Sequence, residues 1–183
     1  MSEVYYIREP RQLAVLVSVR RGEIVDCLAG TGPATIKEIA AALGMRASAL
    51  YHHFQLLEEV GLVVDAGTRL EQGKPARLYR TPGVQMRWGI GLLDPEHAAT
   101  WHKLNAAQCR QSERDFQRGL ESEAAVAEGP GKNLRTFRIV GRPDAATLSA
   151  INHHLDQIVA LLWDSAAGEG TPVVVSCVGA PLQ

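Results

Sequence analysis

The sequence predicts an α+β fold, because helical and strand-like patterns occupy separate stretches of the chain. Apolar residues keep helical spacing within residues 36–43 and again within residues 50–57. The short run at residues 44–46 between them fits a tight turn that joins two crossing helices. From residue 62 the pattern becomes strand-like on either side of a polar tip. Two helices and a hairpin in this order form a winged helix-turn-helix.

The composition is that of an ordinary globular protein. The 183 residues are 46% hydrophobic and 21% charged, with a formal net charge of -1, and they allow one large domain or two small ones. No apolar run approaches the roughly 20 residues of a membrane span, and the segment MSEVYYIREP lacks the pattern of a signal peptide. Three widely spaced cysteines, Cys27, Cys109 and Cys177, argue against a disulfide framework. We expect a cytoplasmic protein.

The first elements are predicted to be helical. Residues 9–30 carry apolar side chains on one face, and Ser18 can cap a second segment after a break. A Gly-Thr-Gly-Pro run then ends this region. Thr35 and Glu38 have the spacing of a capping box, which starts the next helix, and Gly44 stops that helix.

The third helix is expected from residue 46 or 47 to about Val60, with Gly61 as its C-cap. The hairpin that follows, the wing, has its polar tip at residues 71–75. A Thr-Pro-Gly run closes the winged helix-turn-helix domain, which the sequence places at residues 1–83.

A long helix is predicted in the second half, residues 84–183. After a connector at residues 84–93, Asp94-Pro95-Glu96 is typical of a helix start, with Asp as N-cap and Pro at the first helical position. The helix is expected to run to about Glu128. Its apolar stripe is thin, so it needs a partner to bury it. A dimerisation helix at residues 94–128 follows from this.

A small helix/strand C-terminal unit is predicted at residues 134–178. Residues 134–140 and 172–178 have strand-like composition and are expected to pair. Between them a helix begins near residue 142 and ends by Gly168. Its apolar stripe has the cleanest helical spacing in the chain: Leu148, Ile151, Leu155, Ile158 and Leu162.

The third helix has the pattern of a DNA recognition helix, which presents short or polar side chains to the major groove. Leu50, Phe54 and Leu57 mark its buried face. Ser and Gln can bond base edges, Ala can touch a thymine methyl group, and Tyr and His can reach bases or phosphates. The opposite face carries the predicted DNA-binding residues Ala47, Ser48, Tyr51, His52 and Gln55.

The wing adds basic groups. Residues 67–80 contain four Lys or Arg residues and one acidic residue. Arg69, Lys74 and Arg77 are predicted to contact phosphates or the minor groove, and Arg46 a phosphate at the start of the recognition helix. Phosphate contacts give affinity and register, whereas base contacts give sequence choice.

The run IAAALGMRASALYHHFQLLEEVGLV resembles the winged helix-turn-helix of the ArsR-like bacterial regulators. The likeness covers about residues 10–82. It rests on the turn glycine, the small residues that open the third helix, the His before the buried aromatic residue, and the L-x-x-x-G-L-V run into the wing. The resemblance implies a homodimeric repressor on pseudo-palindromic operators, often released by a ligand or a metal.

The sequence departs from that family in three places. Arg46 stands where a Ser or Thr usually opens the recognition helix, so the cap is weaker and a cation is gained. The thiolate pair of the metal-sensing members is absent from this helix. The last hundred residues are longer than in the small metal sensors and look like the accessory half of larger members. A metal-sensing role is therefore not carried over, and no cofactor is expected.

Other constellations are weaker. His97 and His102 are five apart on a helix, a poor spacing for a shared metal, and the adjacent His153 and His154 point about 100° apart. We expect surface or interface histidines, with a metal site across a dimer as the alternative. The Gly-Pro-Gly-Lys run at residues 129–132 lacks the Ser or Thr that a phosphate loop requires. No catalytic triad has supporting local sequence, so we do not expect an enzyme.

The sequence thus predicts a homodimeric, sequence-specific DNA-binding regulator, most simply a repressor. Its expected partners are double-stranded DNA, a second copy of itself and a small-molecule effector, with no membrane. Two alternatives stay open. One is a winged-helix interaction module that binds another protein and no DNA, and the other is an enzyme or metal protein built in the second half.

Overall fold

The computed structural model describes residues 2–165, 168 and 170–181 and confirms the predicted α+β winged-helix fold. The chain forms two compact units, residues 1–107 with 163–167, and residues 108–162 with 168–183. The elements of the described residues are β1 (Ser2–Ile7), α1 (Pro10–Leu16), α2 (Val19–Thr31), α3 (Ile36–Ala42), α4 (Tyr51–Glu59), β2 (Val64–Glu71), β3 (Lys74–Arg80), β4 (Gly83–Trp88), α5 (Ala98–Leu120) and α6 (Ala145–Asp164).

The break predicted within the first helical region lies where the sequence places it. α1 and α2 are separated at Ser18, whose extended backbone (φ -76°, ψ 117°) makes it the N-cap of α2. Its side chain forms no capping hydrogen bond. Ser18 therefore works here through its backbone conformation.

The helix-turn-helix and the wing follow the predicted order. Gly44 has a φ of +64°, which lets the chain turn after α3 at little steric cost. A 3-10 turn at Ala47–Ala49 leads into α4. The wing pairs β2 with β3 in antiparallel register, and Gln72 (φ 50°) with Gly73 (φ 77°) forms its two-residue tip. Positive φ at both central residues is what a tight twisted hairpin needs.

The core of the first unit lies between these elements. Tyr79 of β3 exchanges backbone hydrogen bonds with Ala34, which precedes α3 (2.9 and 2.8 Å), so the wing is tied to the helices. The largest fully buried apolar side chains are Leu13, Ile24, Leu28, Ile39, Leu50, Phe54, Leu57, Leu62 and Val63.

A parallel pair of strands, β1 with β4, closes this unit. Residues 84–93 were predicted to be a connector, and no strand was predicted at residues 2–7. The pairing joins residues far apart in the chain, which local patterns do not report. Gly83 is required for it, because a Cβ at this position would lie 2.8 Å from the backbone nitrogen of Tyr5.

Gln12 of α1 holds β1 against the end of the recognition helix. The residue is 2% exposed. Its Nε2 donates to the Tyr5 hydroxyl (2.8 Å) and to the carbonyl of Val60 (2.9 Å). Its Oε1 accepts from the backbone nitrogens of Arg8 (3.1 Å) and Glu9 (3.2 Å). The Gln12 amide thus makes four hydrogen bonds within the fold, as a buried polar side chain requires.

The first unit extends beyond the predicted boundary at residue 83. β4 lies within it, and Leu104 and Ala107 of α5 are buried. Trp101 rests edge-on against Trp88, with ring centroids 5.2 Å apart, and donates from its Nε1 to the carbonyl of Gly91. The first part of the apolar stripe of α5 is therefore buried within the same chain.

The long helix is shorter than predicted. A 3-10 turn at Pro95–His97, capped by the Asp94 carboxylate, precedes α5, and α5 ends at Leu120 rather than near Glu128. Beyond Leu120 the chain carries acidic residues, including Glu121 and Glu123. Carboxylates are unfavourable at the negative end of a helix dipole.

The strand predictions at residues 134–140 and 172–178 are wrong. Both stretches are described in full, and neither is a strand. Their side chains are largely exposed, and β-propensity alone does not stabilise an isolated pair of strands in water. The predicted strand–helix–strand unit is thus reduced to α6, which begins after Asp144, as expected, and ends at Asp164. Asp144 accepts from the backbone nitrogen of Thr147 as the cap.

Within the described residues, none of the helices combines the length and apolarity that crossing a bilayer requires.

Candidate nucleic-acid interface

The first helix of the helix-turn-helix is fixed by the predicted capping box. The Thr35 hydroxyl accepts from the backbone nitrogen of Glu38 (3.3 Å), and the Glu38 carboxylate accepts from the backbone nitrogen of Thr35 (2.8 Å). The hydrogen bond from the Thr35 backbone, together with one from Arg69, holds the pKa of Glu38 below its usual value. Glu38 therefore serves two elements at once, because Arg69 belongs to the wing.

The recognition helix is anchored through its buried face, as predicted. Leu50 and Leu57 are fully buried, and Phe54 is 1% exposed. The Phe54 ring meets the Tyr79 ring of the wing edge-on, with centroids 4.8 Å apart. A helix packed this closely holds its opposite face in a defined orientation.

The opposite face carries the predicted DNA-binding residues and is open to solvent. Arg46, which precedes the 3-10 turn, is exposed, and Ala47 is half-buried. The remaining four, all exposed, are Ser48, Tyr51, His52 and Gln55. The structure thus presents small and polar groups along one side of the N-terminal part of the recognition helix.

One residue of this face is held by a neighbour. The Gln55 amide donates to the Glu59 carboxylate one turn later (3.1 Å). Both side chains are exposed, so water competes for this bond and the amide remains available to a base edge.

The wing arginines are ion-paired. Arg77 binds the carboxylates of Asp65 on the facing strand (2.5 Å) and Glu58 on α4 (2.7 Å). Its guanidinium also lies over the Tyr79 ring, 4.8 Å from the centroid. Hydrogen bonding to Asp65 is the main cause that raises the pKa of Arg77 and, from the other side, lowers the pKa of Asp65. Arg77 thus joins the wing to the recognition helix.

Arg69 makes a second bridge, from the wing to α3. Its guanidinium lies 2.6 Å from the Glu38 carboxylate and 2.6 Å from that of Glu71. The hydrogen bonds to Glu71 and Glu38 raise the pKa of Arg69. Arg69 and Arg77 were predicted to contact phosphates or the minor groove, and their four carboxylate partners were not predicted. Only Glu38 carried a local signal, as a helix cap.

Two predicted cations are unpaired within the part of the chain that the structure describes. Lys74 is exposed where β3 leaves the wing tip, and Arg46 is exposed at the start of the recognition helix. The basic surface is therefore more sparsely charged than the sequence count suggests, since two of the predicted phosphate ligands already have carboxylate partners.

His53 packs behind the recognition face. It is half-buried, and its buried Nδ1 has no hydrogen-bond partner. Burial lowers the pKa of His53, and the positive charges of Arg21, His52 and Arg20 lower it further. Because this environment disfavours the imidazolium, His53 is best accommodated in its neutral form.

Acidification should therefore destabilise the fold through His53. A histidine whose pKa is lower in the folded chain contributes stability that is complete above its unfolded pKa, about 6.5, and is lost as pH falls below that value towards the folded pKa. We expect the free energy of unfolding to fall between pH 7.5 and 5.5 in urea titrations. His53→Gln should flatten this dependence, whereas His52→Gln, which removes only one of the lesser causes of the lowered pKa, should keep most of it. Equal pH dependence in all three proteins would contradict the assignment.

Within the described residues of a single chain, the remaining histidines do not come together in a metal site. His97 lies 3.8 Å from the Asp94 carboxylate, and the Nδ1 of His154 is 3.0 Å from the Gln157 side chain. Among the described residues there is no group of three or more His, Cys, Asp or Glu side chains that could hold a metal ion.

Comparison with known families bears on the same segment. A family described as a helix-turn-helix domain matches residues 20–65, from α2 through the recognition helix to the first residues of β2. It is a family of DNA-binding regulatory domains rather than of enzymes. No curated protein matches the sequence. The chain therefore carries a helix-turn-helix domain of the kind that regulators use to bind DNA, and its exposed face includes Arg46, Ser48, Tyr51, His52 and Gln55.

Proposed function

We propose that the protein is a homodimeric, sequence-specific DNA-binding transcriptional regulator that acts as a repressor, in the manner of the larger ArsR-like proteins. The division of the recognition helix into two faces carries the proposal. One face is buried in the core, and the other exposes small and polar side chains to solvent. Major-groove readout needs such a rigidly held, slender face.

The proposed contacts divide by chemistry. Ser48 and Gln55 bond base edges, and Ala47 accommodates a thymine methyl group. Tyr51 and His52 reach bases or the flanking backbone. Their exposure supports these roles, since each can approach a groove without breaking a core contact.

The phosphate grip is proposed to come first from the unpaired cations Arg46 and Lys74. Arg69 and Arg77 also face solvent, but each would have to share its guanidinium with a carboxylate. In the unbound protein these carboxylates therefore compete with DNA for the two arginines. A phosphate contact from either would come at the expense of an ion pair.

Residues 84–183 are proposed to supply dimerisation and effector binding. Two recognition helices in a symmetric dimer would address half-sites about 34–36 Å apart, one turn of DNA. The expected operator is therefore pseudo-palindromic.

A pull-down of genomic DNA fragments by the full-length protein tests the proposal. We expect enrichment of a few fragments, and binding that weakens steeply between about 50 and 200 mM salt because counterions are released from phosphates. The control is Ser48→Asp, which puts a carboxylate on the exposed face without touching the core. Enrichment that is unchanged in this variant, or an affinity that is flat across the salt range, would contradict the proposal.

Lys74→Ala should weaken binding to all DNA sequences by the same factor. The side chain at the wing tip is proposed to contact a phosphate, which carries no sequence information. The slope of log affinity against log salt should become shallower by about 0.9, the value expected for the loss of one phosphate contact. Titrations of a selected fragment and of random DNA measure both effects. Lys132→Ala, a matched loss of charge in the second unit, should change neither. A loss confined to the selected fragment would instead indicate base readout by Lys74.

A second candidate is a winged-helix module that binds another protein. One observation favours it, namely the carboxylates of Glu38, Glu58, Asp65 and Glu71, which neutralise the wing arginines. Acidic groups beside the recognition helix repel phosphates. The DNA pull-down separates the two candidates, because an interaction module would enrich no fragment at any salt concentration.

A further inference from the structure

Helix α6 carries a heptad pattern that the proposed DNA contacts do not use. Leucine recurs at positions 148, 155 and 162, and isoleucine at positions 151 and 158. The spacing alternates between three and four residues, which places all five side chains in one seam along the helix. Helices with such a seam pack against other helices, each side chain inserting between four of the partner.

Four of the five seam residues, Leu148, Ile151, Leu155 and Ile158, are exposed in the described chain. None of the described residues of α6 is buried. The exposed fractions are 48% for Leu148, 43% for Ile151, 37% for Leu155 and 43% for Ile158. Soluble proteins rarely leave a continuous stripe of large apolar side chains in water.

α5, the helix predicted to form the dimer, differs from α6 because part of its apolar stripe is already buried. The thin stripe of α5 has its buried members, Leu104 and Ala107, inside the first unit, and Trp101 packs against that core. The chain itself therefore covers the early part of α5. The heptad seam of α6 is the longer and more apolar surface left for a partner.

The residues that flank the seam point to a second copy of the same helix. In a coiled coil the flanking positions carry the charges that select a partner. In α6 those positions are Thr147, Asn152, His154, Val159 and Leu161, with no Lys, Arg, Asp or Glu among them. Two identical seams can thus meet without like-charge repulsion, whereas no charge is present to select a different, oppositely charged helix.

A stable dimer needs more surface than one face of α6 supplies, and the same unit exposes more. Stable interfaces bury about 800 Å² on each partner, drawn from about 20–30 residues. α6 spans 20 residues. The same unit exposes further large apolar side chains, at Phe137, Ile139 and Val140 and at Val173, Val174, Val175 and Val178.

We infer that the α6 seam at residues 148–162 is the homodimer interface, packed against the α6 seam of a second copy of this chain. The inference takes the homodimer from the proposed function and assigns it to α6. It does not depend on DNA binding.

Cysteine cross-linking tests the seam directly. Leu155 is the central residue of the seam, so it meets its own copy whether the two helices run parallel or antiparallel. The background is Cys109→Ser/Cys177→Ser, which removes the two exposed native thiols. Adding Leu155→Cys should give a reducible cross-linked dimer as the main species on oxidation. The control is Ala160→Cys, on the outward side of the same helix, which should cross-link little. Equal cross-linking of the two variants would overturn the inference.

A charge in the seam provides the second measurement. Leu155→Glu should raise the dimer dissociation constant by about a hundredfold or more, since each dimer would bury two unpaired carboxylates. Ala160→Glu adds the same charge outside the seam and should leave the dimer intact. Molar mass by light scattering at micromolar concentration reads out both. A Leu155→Glu protein that stays dimeric, or a wild-type chain that is monomeric, would overturn the inference.

Failure of this inference differs from failure of the proposed DNA binding. A wild-type dimer that Leu155→Glu dissociates, but that enriches no DNA, would support the seam and contradict the DNA-binding role. A protein that binds DNA while its dimer survives Leu155→Glu would support the DNA-binding role and overturn the seam.

Discussion

Replacing Phe54 by alanine should lower the free energy of unfolding of the first unit by about 3–5 kcal/mol. The Phe54 ring is 1% exposed and fills the space between the recognition helix and the wing, against Tyr79. Alanine would leave a cavity that neither element can close without losing its partner. A domain is stable by only about 5–15 kcal/mol, so the variant should lose much of its margin and bind DNA poorly at ordinary temperatures.

Tyr51→Ala is the matched control. Tyr51 also lies on the recognition helix but is 57% exposed, so its removal should change stability by no more than about 0.5 kcal/mol. Tryptophan fluorescence in urea isolates the relevant unit, because Trp88, Trp101 and Trp163 all belong to the first one. A Phe54→Ala protein within about 1 kcal/mol of the wild type would show that the recognition helix is not anchored through this ring.

Removing two carboxylates should strengthen DNA binding. The double variant Glu38→Gln/Glu58→Gln deprives Arg69 of one of its two carboxylate partners and Arg77 of one of its two. Each new contact between a guanidinium and a phosphate makes the slope of log affinity against log salt steeper by about 0.9. For two contacts, the ratio of affinities at 50 and 200 mM salt should grow about tenfold. Glutamine can still fill the third position of the capping box that starts α3.

The control must match the change in net charge. Glu113→Gln/Glu121→Gln removes two exposed carboxylates from the second unit and should leave the salt dependence unchanged. Fluorescence anisotropy of a labelled duplex gives both slopes. An equal gain in the two double variants would mean that overall charge, rather than release of the wing arginines, sets the affinity.

The helix-turn-helix could be predicted from the sequence because its signals are local. Thr35 and Glu38 lie three residues apart and make the capping box, Gly44 takes the positive φ of the turn, and the apolar spacing of α4 identifies Phe54 as buried. Each of these features is decided within one turn of helix or one tight turn.

Features that join distant residues were missed. β1 pairs with β4 across about eighty residues, and Arg69 reaches Glu38 across thirty-one. A count of basic residues in the wing could not show which of them already have a carboxylate partner. The strands expected at residues 134–140 and 172–178 failed for the opposite reason, since their composition favours strands but no pairing occurs.

The proposed regulator must read DNA bases through the exposed face of its recognition helix. Selection of binding sites from random duplexes, run in parallel with the wild type, Ser48→Ala and Lys74→Ala, tests this claim most directly. We predict that Ser48→Ala relaxes the preference at one position in each half-site, by about 1–3 kcal/mol, while the other positions keep theirs. Lys74→Ala should reproduce the wild-type site at lower affinity. A Ser48→Ala profile identical to that of the wild type, or the absence of any selected site, would contradict the claim.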